Sequence, residues 1–170
     1  MFKFKCDACG EIHEGMPTFG YEFPIYYLDV PAEQRDERCE LSSDTCIIDD
    51  ELFFVRGCVE IPVHDEEEPF IWGVWVSLSE KSFNRFLELY EVNERDQEEP
   101  FFGWLNGCFA DYATEDVNLK TQVHLRNNGV RPYIEIEKTD FPLSVEQHNG
   151  ISKERLIEIY ERMKHGKNKV

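Results

Sequence analysis

The sequence predicts an α+β fold in which a mainly antiparallel sheet packs against two amphipathic helices. Three observations support this prediction. Apolar and polar residues alternate in several segments, two other segments repeat apolar residues at helical spacing, and a cysteine-containing turn lies near residue 6. The 170 residues are enough for one domain. We therefore expect a single domain over residues 1–170, with a knuckle segment at 1–20 and an α+β core at 51–165.

The strand predictions rest on two-residue periodicity. In the first strand, Phe53 and Val55 face one side, whereas Phe54 and Arg56 face the other. Asn127-Asn-Gly129 is a strong turn signal before a returning strand. The predicted strands are residues 52–63, 70–77, 101–105 (a short strand or buried turn), 118–126 and 132–137.

The helix predictions rest on caps and on apolar residues spaced three and four apart. Ser79 is a good N-cap for one helix, and Ser152 is a good N-cap for a second. The residues expected on the apolar faces are Phe83, Phe86, Leu87 and Tyr90 in the first helix and Leu156, Ile159, Tyr160 and Met163 in the second. Residues 21–50 read as irregular, apart from a short helix at 32–38.

The charge balance limits the classes of partner. Thirty-five acidic residues against 18 basic residues give a formal net charge of −17. Nucleic-acid binding depends on Lys and Arg neutralising phosphates, so no nucleic-acid partner is expected. The acidity favours solubility, or an unknown basic protein partner reached by electrostatic steering.

The apolar segments and the cysteines indicate the cellular compartment in which the protein is expected. The first residues lack the 7–15-residue apolar stretch of a signal peptide, and no apolar run is long enough to span a membrane. Without an export signal, the six cysteines are expected to be mostly reduced thiols. The sequence therefore predicts a cytoplasmic protein with no membrane association.

The turn Cys6-Asp-Ala-Cys9-Gly10 is the clearest chemical motif, because two thiolates at this spacing can point at one cation. Structural zinc takes four Cys or His ligands, and the sequence offers only one such pair. We predict a zinc-knuckle-like segment with the ligand set Cys6, Cys9, His13 and Cys46. A redox-active dithiol and plain free thiols are alternatives, and Cys46 beside two isoleucines also fits a small buried hydrophobe.

A second, weaker constellation lies on the predicted strands. If the faces of those strands met, the side chains could form an anion-binding cleft or a general acid–base pair. The alternative is the solvated side of an antiparallel sheet with cross-strand ion pairs, which alternation by itself predicts. The residues of this possible polar cleft are Arg56, Glu60, His124, Arg126, Arg131 and Glu135.

Several longer motifs resemble one family. They are Cys6-x-x-Cys-Gly-x-x-His13, Phe53-Phe-Val-Arg-Gly57, Glu60-Ile-Pro-Val63, Trp72-Gly-Val-Trp-Val-Ser-Leu-Ser79, Glu99-Pro-Phe-Phe-Gly-Trp-Leu105, Leu119-Lys-Thr-x-Val-His124, Arg131-Pro132, Glu135-x-Glu-x-Thr-Asp140 and Pro142-Leu-Ser-Val-Glu-Gln147. The sequence is similar to a bacterial family catalogued as domain of unknown function 2199.

The resemblance implies one contiguous domain in a bacterial cytosol, with no assigned activity. Cys46 matches a Cys-x-Ile pattern of the family, which favours Cys46 as a metal ligand. Cys39, Cys58 and Cys108 fall outside the family pattern. The sequence departs from the family at Asn127-Asn128, where a Thr/Pro-containing turn is expected.

Three functional hypotheses follow from the sequence. The first is a zinc-stabilised cytosolic binding or adaptor domain. The second is an acidic inhibitor or immunity-type protein that covers a basic partner. The third is a small enzyme that uses a cleft of His124, Arg126 and Glu135. The usual catalytic motifs are missing from the sequence, so the balance favours a protein that is not an enzyme.

Overall fold

The computed structural model describes residues 1–107, 109, 111–112 and 117–166. The chain forms two compact units. The smaller unit comprises Met1–Phe19, Glu60–Trp72 and Lys138–Val170, and the larger unit comprises Gly20–Val59 and Gly73–Glu137. Cys108, Lys167 and Lys169 lie outside the described residues.

Strands and helices both contribute to the described part of the chain, so the α+β prediction is confirmed. The strands are β1 (Lys3–Lys5), β2 (Ile12–Glu14), β3 (Thr18–Gly20), β4 (Cys39–Leu41), β5 (Thr45–Ile48), β6 (Leu52–Ile61), β7 (Phe70–Leu78), β8 (Phe101–Gly107), β9 (Val117–His124) and β10 (Tyr133–Ile136). The α-helices are α1 (Ile25–Asp29), α2 (Arg35–Arg38), α3 (Glu80–Glu88), α4 (Pro142–Asn149) and α5 (Lys153–His165), and a 3-10 turn covers Ala32–Gln34.

The main sheet has the strand order β3-β7-β8-β9-β10-β6-β5-β4, and an additional pairing of β7 with β6 closes five strands into a ring. Strands β8 and β9 are antiparallel, as are β9 and β10, and β5 and β6. Strand β10 pairs with β6 in parallel, with Tyr133 opposite Cys58. The expectation of a mainly antiparallel sheet did not include this parallel pairing.

Strand β6 follows the predicted alternation. From Val55 onward, Val55, Val59 and Ile61 are buried, while Arg56 and the intervening polar residues are half-buried. The start of the strand departs from the prediction, because Phe54 is buried and Phe53 is half-buried. A Cβ atom on Gly57 would lie 2.5 Å from Cδ1 of Ile134. Only glycine therefore lets this strand approach its neighbour so closely.

The two predicted amphipathic helices are present, with their serine caps. The side chain of Ser79 accepts a hydrogen bond from the backbone of Ser82, and Ser152 does the same for Arg155. The buried residues are Phe83 and Phe86 in α3 and Leu156 and Ile159 in α5. The predicted apolar faces of these helices were too wide, because Leu87, Tyr90 and Met163 are 46%, 39% and 41% exposed.

The sequence did not predict helix α4, and the expectation that residues 21–50 are irregular was wrong. That segment contains α1, α2, β4 and β5, although the short helix at 32–38 was expected. Elements of three to five residues are too short to show a periodicity. The turn between β5 and β6 contains no glycine that would have marked it in the sequence. Asp49 and Asp50 adopt the positive φ of 55° there instead.

No helix in the described residues has the length and apolar character needed to cross a lipid bilayer.

Candidate metal centre

The N-terminal hairpin of the smaller unit positions three chemically important side chains. Strands β1 and β2 are antiparallel, with Phe4 opposite His13. Between them, the backbone N–H of Cys6 donates to the carbonyl of Glu11 at 2.9 Å, and that of Gly10 donates to the carbonyl of Cys6 at 2.8 Å. Gly10 has a φ of 77°, a conformation that glycine adopts without strain. The turn therefore brings Cys6, Cys9 and His13 to one end of the hairpin.

These three residues and His165 form a group that could hold a metal ion. One ligand atom from each residue lies within 4.8 Å of every other. In a tetrahedral zinc site with bonds of about 2.0–2.3 Å, ligand atoms lie roughly 3.3–3.8 Å apart. The Sγ of Cys9 and the Nε2 of His13 already have this separation, at 3.4 Å. The more distant pairs would need to close by up to about 1 Å around an ion.

The fourth member of this metal group, His165, comes from the end of the last helix. It occupies the final residue of α5 and is exposed, whereas Cys6 is fully buried. Sequence reasoning missed His165, because no local spacing connects it with the cysteines. The amphipathic pattern of α5 predicted a buried face, but only the folded chain shows where the end of the helix lies.

A neighbouring tyrosine orients the imidazole of His13. The hydroxyl oxygen of Tyr160 lies 3.1 Å from Nδ1 of His13. The tautomer with its proton on Nδ1 donates that proton to the tyrosine oxygen and leaves the lone pair of Nε2 directed toward Cys9. Metal-binding histidines commonly have such a partner on the other ring nitrogen. Phe4 packs edge-on against Tyr160, with ring centroids 4.9 Å apart.

The surroundings of Cys6 raise the pKa of its thiol on balance. Burial raises the pKa of Cys6, while backbone N–H groups of Cys9 and Ala8 donate to its sulfur and act in the opposite direction. Burial also raises the pKa of Tyr160, with further contributions from the two cysteines. The backbone N–H of Asp7 donates to the carboxylate of Glu161 at 2.7 Å, which ties the turn to α5. A bound cation would neutralise the charge that accumulates here.

Cys46, the fourth ligand expected from the sequence, is not part of this metal group and belongs to the larger unit. It is fully buried in a hydrophobic cluster, which also contains Val30, Ile48, Phe54 and Trp75. Burial, with a smaller contribution from Cys39, raises the pKa of Cys46 to about 12, so its thiol stays protonated at neutral pH. The structure therefore brings together Cys6, Cys9 and His13 and places His165 where Cys46 was expected.

The residues of the possible polar cleft do not all belong to one unit. Glu60 is in the smaller unit, and the other five residues are in the larger unit. His124 and Glu135 approach each other, with Nε2 and Oε2 3.8 Å apart. That distance is too long for a hydrogen bond, and the buried Nε2 of His124 has no hydrogen-bond partner among the described residues.

The arginines of the possible cleft are held by protein oxygens. Arg126 donates to the carbonyl of Arg131 at 2.7 Å, and Arg131 donates to Oδ1 of Asp44 at 2.8 Å. Tyr90 donates to the other carboxylate oxygen of Asp44 at 2.7 Å. Burial raises the pKa of Asp44, but the hydrogen bonds from Arg131 and Tyr90 outweigh it and hold the pKa below its usual range. Asp44 was not predicted, because it lies in a segment expected to be irregular.

The family comparison matches most of the chain. Residues 5–151 match the family model described as an uncharacterized protein conserved in bacteria, DUF2199. No curated protein and no solved structure matches the chain. The matched residues include Cys6, Cys9 and His13 and end before His165. The chain therefore belongs to the DUF2199 family of uncharacterized bacterial proteins.

Proposed function

We propose that this protein is a cytosolic binding or adaptor domain whose N-terminal segment is stabilised by a structural zinc ion. The ion would be bound by Cys6, Cys9, His13 and His165. The single observation that carries this proposal is the proximity of their ligand atoms, all within 4.8 Å of one another.

The chemistry of the donor set favours zinc. Two thiolates and two imidazoles are a common ligand set for structural zinc, whereas magnesium and calcium prefer oxygen ligands. A site with four protein ligands leaves no position for a substrate or an activated water. The donor set thus supports a structural role over a catalytic one.

A structural ion would fasten a weak element. Strands β1 and β2 have three residues each, and an isolated two-stranded hairpin is marginally stable in water. Burial of Phe2 and Phe4 contributes to holding this segment in place. The ion would add a link from the turn at Cys6 and Cys9 to the end of α5, at opposite ends of the described chain.

The proposal is tested by measuring the zinc content of protein purified without added metal. We expect about one zinc per chain in the wild type and in Cys46→Ala, since Cys46 lies among apolar side chains. We expect little zinc in Cys6→Ser and weaker retention in His165→Ala, because each substitution removes one ligand.

The pair Cys46→Ala and His165→Ala decides the fourth ligand. Loss of zinc from Cys46→Ala, together with full retention in His165→Ala, would show that Cys46 binds the ion. Wild-type protein free of zinc, which also fails to take it up from solution, would eliminate the zinc proposal.

A further inference from the structure

The larger unit contains a cavity of about 380 Å³ that the proposed zinc site does not involve. Its walls are mostly apolar and aromatic, and they include Tyr21, Phe23, Ile25, Leu28, Trp75 and Phe109. A volume of this size is within the range of small-molecule sites in proteins. The cavity is large enough for a compact aromatic or aliphatic ligand.

Backbone contacts hold the walls in place. A Cβ atom on Gly20 would lie 3.1 Å from backbone atoms of Gly73, so two glycines permit a close approach there. The next residue, Tyr21, donates its backbone N–H to the carbonyl of Gly73 at 3.1 Å. The carbonyl of Tyr21 in turn accepts a hydrogen bond from Nε1 of Trp75 at 2.9 Å. The Trp75 ring is therefore fixed before any ligand binds.

Two polar residues, Asn106 and Glu22, line the cavity and differ in exposure. Asn106 donates its side-chain amide to Asn118, but its own buried Oδ1 has no hydrogen-bond partner among the described residues. Glu22 also lines the cavity and is exposed. The carboxylate of Glu22 is therefore the side-chain acceptor that a ligand in the cavity can reach.

We propose that this cavity binds a small, mostly apolar molecule that carries one protonated amine. The apolar walls select the body of the ligand, and the exposed carboxylate of Glu22 selects its cationic end. Among the described residues that line the cavity there is no Lys, Arg or His, and the whole chain carries a net charge of −17, which attracts cations. The aromatic walls add cation–π attraction for an ammonium group.

Arg56 is a basic residue that lies near the Trp75 wall of the cavity. Its guanidinium carbon lies 5.8 Å from the centroid of the Trp75 ring. It does not line the cavity, and its Nη1 donates to the carbonyl of Ser43 at 3.5 Å. Arg56 also interacts electrostatically with Glu22, so the guanidinium and the amine of a ligand compete for this carboxylate. The selectivity for an amine depends on Glu22 and on the aromatic walls.

The test compares three ligands of similar shape by NMR titration of the Trp75 indole N–H resonance. Phenethylamine is the protonated probe, phenethyl alcohol is its neutral analogue and hydrocinnamate is its anionic analogue. We expect phenethylamine to bind about tenfold more tightly than the alcohol, because its hydrogen bonds are charge-assisted, and we expect no binding of hydrocinnamate.

Variants at the mouth of the cavity locate the site without disturbing the core. Leu28 is 54% exposed, so Leu28→Trp should fold normally while its larger ring occludes the cavity and weakens binding by about tenfold or more. Glu22→Gln should weaken phenethylamine binding by about two- to fivefold and leave alcohol binding unchanged. Asp29→Asn, on the same helix α1 but outside the lining, is the matched control and should have no effect.

Three results would overturn the inference. They are equal affinity for the amine and its alcohol, retention of amine binding in Leu28→Trp, and shifts that depend on protein concentration, which would indicate a second copy at this face. Because no proposed zinc ligand lines the cavity, loss of the zinc proposal would not change these outcomes.

Discussion

Cys6 in the smaller unit and Cys46 in the larger unit are equally buried, but their thiols have chemically different surroundings. Cys6 and Cys46 both have 0% exposure. In the smaller unit, the sulfur of Cys6 receives backbone N–H bonds and lies in a group with Cys9, His13 and His165. In the larger unit, Cys46 is surrounded by Val30 and other apolar side chains.

This comparison shows that burial alone does not identify a metal ligand. Burial raises the pKa of both thiols, but only Cys6 has donors that stabilise a thiolate and further ligands to share a cation. Cys46 instead acts as a small hydrophobic residue. Four predictions test this difference, from the largest expected effect to the smallest.

Removing the ion should have the largest effect. Chelation of zinc, or the substitution Cys6→Ser, should lower the free energy of unfolding by about 3 kcal/mol or more, because metal binding to folded ligands contributes directly to folding. Thermal unfolding followed by circular dichroism measures this change. Addition of zinc should restore the chelated wild type but not Cys6→Ser. An unchanged melting temperature after complete zinc removal would contradict a structural ion.

Substitution of Cys46 should destabilise the protein and leave zinc bound. Cys46→Ser should cost about 2–3 kcal/mol, because its hydroxyl would be buried among apolar side chains without an evident partner. Cys46→Ala, the matched control, should cost about 1 kcal/mol, since it leaves only a small cavity. Urea denaturation measures both values, and equal costs for Ser and Ala would contradict an apolar environment.

Removal of the tyrosine hydroxyl should weaken the metal site without abolishing it. Tyr160→Phe should reduce zinc affinity by about tenfold, because His13 loses the partner that fixes its ring. Competition with a chromophoric chelator measures the affinity. Tyr26→Phe is the control, since Tyr26 belongs to the larger unit, and it should leave zinc affinity unchanged. An unaltered affinity in Tyr160→Phe would show that the hydroxyl does not orient His13.

The stability of the larger unit should depend on pH through the carboxylate of Asp44. The pKa of Asp44 is lowered on folding, so its stabilisation is present above the ordinary aspartate pKa of about 3.9 and is lost as the pH falls through the folded value. Asp44→Asn should therefore cost about 1 kcal/mol at neutral pH and less under strongly acidic conditions.

Urea denaturation at neutral and acidic pH checks the Asp44 prediction. Asp29→Asn serves as the control, because Asp29 is exposed. A cost of Asp44→Asn that is independent of pH would contradict the ion pair with Arg131.

Local patterns predicted the elements with strong periodicity. Helix α3 begins at its serine cap, and β9 and β10 pair across the predicted turn, where Asn128 and Gly129 have positive φ. Helix α4 was missed although Pro142 is a common first helical residue, since its apolar residues do not fall on one face. The parallel pairing of β10 with β6 was also missed, because it joins distant segments.

The sequence by itself determined the family and the α+β class, as well as the local part of the metal group, because Cys6, Cys9 and His13 lie within one short hairpin. Only the tertiary structure decided the fourth member. Cys46 and His165 both offer a ligand atom, and the packing of the folded chain places one among apolar side chains and the other beside the two thiols. Local residue spacing does not determine which distant segments pack together, so no motif in the sequence could choose between Cys46 and His165.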